Sequence, residues 1–414
     1  MSYAAQEIQP TNFLATWARE LKHSALQDML VDGSRPGILS LALGLPAAEL
    51  FPVEEYSEAV SYVLRTDPRA LQYGPPYGPL KKHIVALMAK RGVECREEQI
   101  FLTAGAQQGT NLLARLLLEQ HSQVIVEEKI FTGFQQVLEP YQPEILTVPT
   151  DLETGIDVDA IERLLVNGAK PALIYAISDG HNPMAVSMSR EKRIKLAKLA
   201  RQYRVPVIED DPYGFIAYNG FEQPPICSFD NEWVFYVGTF SKIMAPALRT
   251  GWLVVPESLV TFLATVKEST DINTAPLSQR AISAYLDGGH LERHLANLTA
   301  AYRTRRDAMI DALIKEMPDG TRWQRPGSGL FVWVELPSDV DTGVLLRHAI
   351  DEEQLVFIPG HAFAANGHEC AKNSMRLNFS NNSVERLSDG IARLARVLKR
   401  QRPTAIVEKF GWSS

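Results

Sequence analysis

Short runs of β-branched and aromatic residues alternate with longer amphipathic segments from about residue 100 onward. The segments near 107–119, 157–167 and 189–203 have helical spacing, and seven runs predict strands: QIFLTAG, SQVIVEE, PEILTVPT, PALIYAI, VPVIEDD, WVFYVGT and GWLVVP. Strands that alternate with helices are typical of a mostly parallel sheet covered by helices. The predicted fold class is therefore α/β.

A second pattern follows a long, polar, Arg-rich helical region over roughly 280–315. The runs GLFVWVEL, LVFIPG and SMRLNFS, with helical segments between and after them, predict a smaller α+β domain. Near the N-terminus, FLATWARELKHSALQDML predicts one amphipathic helix. We expect residues 1–45 to form an arm and part of the small domain, 46–305 the large domain, and 306–414 the small domain.

Composition narrows the function classes. The chain has 414 residues, 45% of them hydrophobic, and a net charge of −7 with scattered Lys and Arg, which disfavours nucleic-acid binding. Its 3 cysteines are far apart and form no Cys/His pattern of metal-ligand spacing. No leader-like segment or long apolar run occurs. We expect a cytoplasmic protein with neither a metal site nor a membrane segment.

Polar features follow several predicted strands at their carboxyl ends, where open parallel sheets bind ligands. Gly105-Ala106-Gln107 opens a helix after FLTA, and Asn182 follows LIYAI after a short turn. Asp210 closes VPVIED, and Lys242 follows VFYVG. We therefore expect these groups to converge on one site.

Each group has a distinct chemical preference. A glycine turn at a helix N-terminus suits a phosphate, and Thr239, Ser241 and Arg249 add further donors. Asp210, at the end of an apolar strand, needs a cationic N–H opposite it. An enclosed Lys242 can form a Schiff base with an aldehyde. Phosphate, cationic ring nitrogen and aldehyde together describe pyridoxal 5′-phosphate (PLP).

The chain resembles the fold-type I, PLP-dependent aminotransferases of class I/II, and is similar to 2-aminoadipate aminotransferases and to the aminotransferase domain of MocR-type regulators. The ordered motifs that carry the resemblance span nearly the whole chain: SLALGLPAAELFP, LQYGPPYG, FLTAGAQQGTNLLARLLL, VIVEE, HNP, IEDDPYG, GTFSKIMAPALRTGW, PGSGLFVWVELP, FIPGHAFAANG and MRLNFS. Single motifs of this kind are weak, whereas the ordered series is specific.

The resemblance implies roles for matching positions. Lys242 would form the Schiff base and move the proton at the substrate Cα, and Asp210 would keep the ring nitrogen protonated. Asn182 and Tyr213 would bond the ring's phenolic oxygen. Phe131 would stack on the ring, with a phenyl group where relatives usually have tyrosine.

Further roles concern the phosphate and the substrate. Gly105, Ala106 and Gln107, together with Thr239, Ser241 and Arg249, would hold the phosphate, although Ala106 replaces a usual serine. Tyr73 would reach the phosphate of the neighbouring subunit, which implies a homodimer with shared sites. Arg376 would bind the substrate carboxylate, and Gly44 would lie against the substrate. The implied reaction moves an α-amino group between an L-amino acid and a 2-oxo acid.

The segment YAISDGHNPMAV departs most from the family pattern and leaves alternatives open. His181 is either a second acid/base or a structural hydrogen-bonding group, and His361 either contributes to the site or lines its rim. The scaffold also supports elimination, replacement, cyclisation and decarboxylation of amino acids. A PLP- or amine-sensing protein is disfavoured, because little chain precedes LALGLP and it is not basic.

Overall fold

The computed structural model describes residues 13–19, 21, 37–218, 223–365 and 370–401. Most of the predicted N-terminal helix lies outside these residues; within them, helix α1 covers Thr16–Arg19. In the described part of the chain, no helix is both long enough and apolar enough to cross a membrane.

A seven-stranded sheet forms the centre of the molecule, in the order β2-β10-β9-β8-β7-β3-β4. Its strands are β2 (Ile100–Thr103), β3 (Gln123–Glu127), β4 (Glu144–Val148), β7 (Leu173–Ala176), β8 (Val207–Asp210), β9 (Val234–Thr239) and β10 (Gly251–Val254). Strand β10 runs antiparallel to both of its neighbours, and the remaining neighbouring pairs are parallel. The α/β prediction and the seven predicted strands are therefore confirmed.

Helices cover this sheet because their apolar faces pack on its buried strands. They are α2 (Val53–Thr66), α3 (Gly78–Lys90), α4 (Ala106–Leu117), α5 (Thr132–Leu138), α6 (Val158–Val166), α7 (Arg190–Tyr203), α8 (Glu257–Asp271), α9 (Pro276–Asp287) and α10 (His290–Glu316). The helical region predicted over 280–315 is two helices. Gly289, at φ +69°, separates α9 from α10, since this left-handed conformation interrupts a helix.

A second, four-stranded antiparallel sheet has the order β11-β12-β15-β14. Its strands are β11 (Arg322–Trp323), β12 (Phe331–Glu335), β14 (Ile358–Pro359) and β15 (Ser374–Asn378), packed with α11 (Thr342–Glu353) and α12 (Val384–Gln401). The remaining described strands form two short two-stranded sheets. In one, β1 (Leu39–Ser40) pairs with β13 (Leu355–Val356); in the other, β5 (Thr150–Asp151) pairs with β6 (Gly155–Ile156). Helix α10 runs unbroken through the boundary expected between residues 305 and 306.

Candidate active site

A cavity of about 320 Å³ lies beyond the carboxyl ends of the central strands. It is lined by most of the residues that the sequence pointed to: Gly44, Ala106, Gln107, Phe131, Asn182, Asp210, Tyr213, Thr239, Ser241, Lys242, Arg249 and Arg376. Gly105 lies just behind this lining as the N-cap of α4. Tyr73 does not line the cavity, and 73% of it is exposed.

Lys242 reaches the cavity from the turn that follows β9. Its Nζ donates a hydrogen bond of 2.9 Å to the carbonyl oxygen of Gly44. Burial, with smaller contributions from the cationic Arg376 and Arg249, lowers the pKa of Lys242 to about 8. A substantial fraction of this amine is therefore neutral, and nucleophilic, near neutral pH.

Asp210 ends β8 and is buried. Its Oδ2 accepts a hydrogen bond of 2.7 Å from the hydroxyl of Tyr175, whereas its Oδ1 has no hydrogen-bond partner among the described residues. Phe134 stacks on the Tyr175 ring with the centroids 3.7 Å apart. Burial raises the pKa of Asp210 to about 6, so this carboxylate lacks the positive partner that its position calls for.

The start of α4 adjoins Arg249 in the cavity lining. Gly105 has φ +89°, and a Cβ there would lie 2.7 Å from Nη2 of Arg249. The Arg249 Nη2 donates to the carbonyl oxygen of Ala104 over 2.9 Å, which fixes the guanidinium beside the helix N-terminus. Thr239 donates its hydroxyl proton to Ser241 over 2.9 Å. Helix N–H groups, hydroxyls and a guanidinium together suit a dianionic phosphate.

Arg376 lies on β15, in the second sheet, and lines the same cavity. Its Nη1 donates to Asn182 Oδ1 over 2.6 Å and its Nη2 to the Ala42 carbonyl over 2.7 Å, while Nε has no partner in the part of the chain that the structure describes. The guanidinium lies 4.0 Å from the centroid of the Phe331 ring. Burial lowers the pKa of Arg376 to about 9, as expected for a cation that lacks an anionic partner.

Aromatic side chains close the cavity. Gly133 adjoins Phe131, and a Cβ there would lie 2.4 Å from the Phe131 ring. The amide of Gln107 donates to the Gly133 carbonyl over 2.7 Å. Tyr213 is buried and meets Phe331 edge to face, with the centroids 6.1 Å apart. A flat ring can therefore be enclosed between these groups.

Sequence reasoning missed some groups of this site. Tyr175 lies within the apolar run LIYAI, which predicts an ordinary strand residue. Its role follows only from the hydrogen bond that it makes to Asp210 on the neighbouring strand β8. Phe331, on β12, was treated as part of the small domain. The signal available for both was an aromatic residue in a motif already recognised, which does not reveal a contact made across the fold.

The segment just before Asn182, which departs from the family pattern, is fixed by buried ion pairs. Asp179 is buried between two arginines, with Oδ1 accepting from Arg193 over 2.7 Å and Oδ2 from Arg91 over 3.1 Å. His181 is buried and contacts Glu127, outside the cavity lining. His361 lies beside Gly343, also outside that lining. Met184 packs in an apolar cluster with Ala42 and Trp333.

The residues present fit PLP. The Asp210 oxygen that lacks a partner matches a cationic ring nitrogen, the α4 terminus with Arg249 matches a phosphate, and Lys242 is a partly neutral amine. A lysine, an aspartate and a phosphate cradle at the carboxyl edge of this sheet define a PLP-dependent enzyme of fold type I.

Comparison with known proteins narrows this class. The model of the family "Aminotransferase class I and II" matches residues 38–394, and the chain belongs to this family. An aromatic-amino-acid aminotransferase of Thermococcus litoralis is 37% identical over 96% of both chains. A 2-aminoadipate transaminase of Thermus thermophilus is 34% identical over 92% of this chain and 95% of its own length.

A solved structure shows the same fold with a cofactor. The kynurenine aminotransferase of Pyrococcus horikoshii, in complex with PMP, is 35% identical, covers 94% of this chain and 97% of its own, and has a TM-score of 0.88. The chain is a PLP-dependent aminotransferase, and it moves the amino group of an amino acid to a 2-oxo acid.

Proposed function

We propose that the residues of this cavity perform the transamination in the roles given below, and that the enzyme prefers L-amino acids with large apolar or aromatic side chains. The observation that carries the proposal is the single cavity in which Lys242, Asp210 and Arg376 converge. Bound PLP supplies an electron-poor ring that stabilises negative charge at the substrate Cα.

Lys242 would hold the cofactor covalently and, as a free amine, would move a proton at the substrate Cα. Its pKa of about 8 supports this role, because a base is most effective when its pKa lies near the working pH. The hydrogen bond to the Gly44 carbonyl holds Nζ against the cavity lining.

Asp210 would hold the ring nitrogen in its protonated form, and the Tyr175 hydroxyl orients the carboxylate for this role. Because Asn182 accepts from Arg376 through Oδ1, its amide nitrogen is left to donate to the ring's phenolic oxygen. Tyr213 would donate to the same oxygen. Phe131 would stack on the ring, and the α4 terminus with Thr239, Ser241 and Arg249 would hold the phosphate.

Arg376 binds the α-carboxylate of the substrate. A guanidinium matches a carboxylate with two parallel hydrogen bonds, and this one is buried with Nε unpaired. Its pKa of about 9 would rise when a carboxylate arrives, so substrate binding relieves the burial of the free cation.

The proposed substrate class follows from the wall of the cavity. Leu43, Leu45, Ile177 and Phe331 contribute an apolar surface. Among the described residues, the lining cations are Lys242, Arg249 and Arg376, and each already has a role toward the cofactor or the α-carboxylate. This leaves no described cation in the lining for a distal carboxylate, which favours apolar side chains. The name of the Thermococcus litoralis relative agrees.

A panel of amino donors tests this preference. We expect kcat/KM for L-phenylalanine, L-tyrosine and L-leucine, with 2-oxoglutarate as acceptor, to exceed that for L-2-aminoadipate and L-aspartate by about tenfold or more. A preference for the acidic donors would contradict the proposed substrate class. It would instead favour the activity named for the Thermus thermophilus relative.

We further propose a homodimer that works in the cytoplasm. Leu71 and Tyr73 are 74% and 73% exposed in the single chain, and large exposed apolar neighbours favour burial against another subunit. The hydroxyl of Tyr73 would then reach the phosphate in the partner's cavity. In either case the substrates are small molecules, an amino acid and a 2-oxo acid.

A further inference from the structure

The segment 178–185 is anchored before it reaches Asn182. The Asp179 carboxylate joins Arg91 and Arg193, both of which are buried. At Gly180, φ is +55° and a Cβ would lie 2.7 Å from Cα of Gly329, so the backbones of the two domains touch there. The entry into the segment is therefore rigid.

A second anchor lies one residue before Asn182. The Nδ1 of His181 accepts from the Met184 N–H over 3.2 Å, so the ring proton is on Nε2. This Nε2 lies 2.8 Å from Oε2 of Glu127, in a contact that does not have the geometry of a regular hydrogen bond. The other oxygen of Glu127 accepts from the Thr150 hydroxyl over 2.7 Å.

Glu127 is thereby fixed to the large domain. It ends β3, its own side chain is 3% exposed, and that of His181 is 2% exposed. A buried carboxylate with a hydroxyl donor on one side and an imidazole on the other is held in one orientation. The position of His181 is determined by that carboxylate.

The neighbouring residue transmits this position to the substrate site. Asn182 accepts a hydrogen bond from Arg376 over 2.6 Å. Among the described residues, the guanidinium donates one other hydrogen bond, to the Ala42 carbonyl. A displacement of the Asn182 side chain would therefore turn the guanidinium. Binding of a carboxylate by two parallel hydrogen bonds tolerates little rotation.

We propose that Glu127 and His181 form a positioning pair that holds Asn182, and through it Arg376, in the orientation that receives the substrate carboxylate. This inference rests on the role of Arg376 under the proposed function. His181 does not act as a second acid/base, because both ring nitrogens face protein groups and the ring lies outside the cavity lining.

The test compares two probes that differ by a carboxylate. The rate of the first half-reaction is measured with L-phenylalanine and with 2-phenylethylamine, which cannot engage Arg376, in the PLP-loaded wild type and in Glu127→Gln. The variant keeps the shape and an oxygen for Thr150 but loses the charge opposite His181. We expect the ratio of the L-phenylalanine rate to the 2-phenylethylamine rate to be about tenfold lower in the variant. The rate with the amine and the PLP content should change little.

Asp230→Asn is the matched control. Asp230 is also a buried carboxylate, but it precedes β9 at the amino ends of the strands and contacts Arg201. We expect this variant to keep the wild-type ratio even if it loses some stability. An unchanged ratio in folded, PLP-loaded Glu127→Gln would overturn the positioning role.

If Glu127→Gln does not fold, Thr150→Val removes only the hydroxyl that holds the carboxylate. A smaller fall of the same ratio is then expected, and no change overturns the inference. In Arg376→Lys, the same ratio should fall strongly. Adding Glu127→Gln to that variant should then lower the ratio no further. If Arg376→Lys leaves the ratio unchanged, the proposed function itself is contradicted. If Arg376→Lys lowers the ratio but Glu127→Gln does not, only the positioning role of Glu127 and His181 is overturned.

Discussion

At the scale of single residues, the cavity contains three charged groups whose pKa values are displaced by burial. Lys242 and Arg376 are shifted down, to about 8 and about 9, and Asp210 is shifted up, to about 6. Each shift reports a group that is buried without a full set of partners. Ring nitrogen, phosphate, aldehyde and substrate carboxylate are the partners that would satisfy the site.

The stability of the cofactor-free protein should depend on Lys242 and pH. Its pKa is lowered from 10.5 to about 8, so between these values the native state binds fewer protons than the unfolded state. The free energy of unfolding contributed by this residue therefore rises with pH through that window, and the buried ammonium is fully destabilising below pH 8. Lys242→Met should stabilise the cofactor-free protein most below pH 8. An equal stabilisation at pH 7 and pH 10, in urea unfolding curves, would contradict this.

Tyr175→Phe should weaken the hold of Asp210 on the cofactor. The Tyr175 hydroxyl lowers the pKa of Asp210 against the larger effect of burial, so its removal raises that pKa further. We expect the acidic limb of the kcat/KM profile to move to higher pH by about one unit, and PLP to dissociate faster. Phe134→Leu, which removes the stacked ring but keeps the hydroxyl, should leave the acidic limb in place. An equal shift of the acidic limb in Tyr175→Phe and Phe134→Leu would contradict the role of the Tyr175 hydroxyl.

At the scale of elements, the strands of the seven-stranded sheet and their order along the chain follow from apolar runs, because buried parallel strands have a strong local signature. The carboxyl-edge rule then brings Asp210, Asn182 and Lys242 together. Arg376 and Phe331 come from the second sheet, and their place in the cavity depends on how two sheets pack. No local pattern specifies that packing, so only the resemblance pointed to Arg376 and nothing pointed to Phe331.

The same limit applies to the segment before Asn182. Its unusual residues left a change in chemistry open, and the structure pairs one of them, Asp179, with Arg91 and Arg193. These partners are distant in sequence, and buried ion pairs leave no periodic signal. The break between α9 and α10 was also missed, although Gly288 and Gly289 mark it.

Gly105→Ala should damage the phosphate site through the start of α4. A Cβ at φ +89° would press on the Arg249 guanidinium at 2.7 Å, so we expect PLP affinity to fall about tenfold or more. Gly168→Ala is the control, since Gly168 has φ +94° but nothing lies within 4 Å of an added Cβ. It should lose about 1 kcal/mol of stability with unchanged PLP affinity. Equal PLP dissociation constants for the two variants would refute the assignment.

At the scale of the whole molecule, the described chain has a complete cavity except for the residue proposed to come from a partner. Lys242 and Arg249 belong to one subunit, whereas Tyr73 points to the site of the other under the dimer proposal. Such an arrangement makes catalysis depend on assembly.

Subunit mixing tests shared sites. Lys242→Ala and Tyr73→Ala variants are purified, mixed, dissociated and reassembled at limiting PLP. Each mixed dimer then contains one site with Lys242 and Tyr73 both intact, so about a quarter of wild-type activity should return by random assortment. If both residues act within one subunit, reassembly adds nothing to the sum of the two variants. Sedimentation of the wild type as a monomer would exclude the arrangement directly.

The most direct test of the central claim is a single turnover of PLP-loaded enzyme with L-phenylalanine and no oxo acid. The account predicts one equivalent of phenylpyruvate per site, no ammonia and no carbon dioxide, and no oxo acid at all from Lys242→Ala. Release of ammonia or carbon dioxide in place of a stoichiometric oxo acid, or full turnover without Lys242, would contradict transamination at this site.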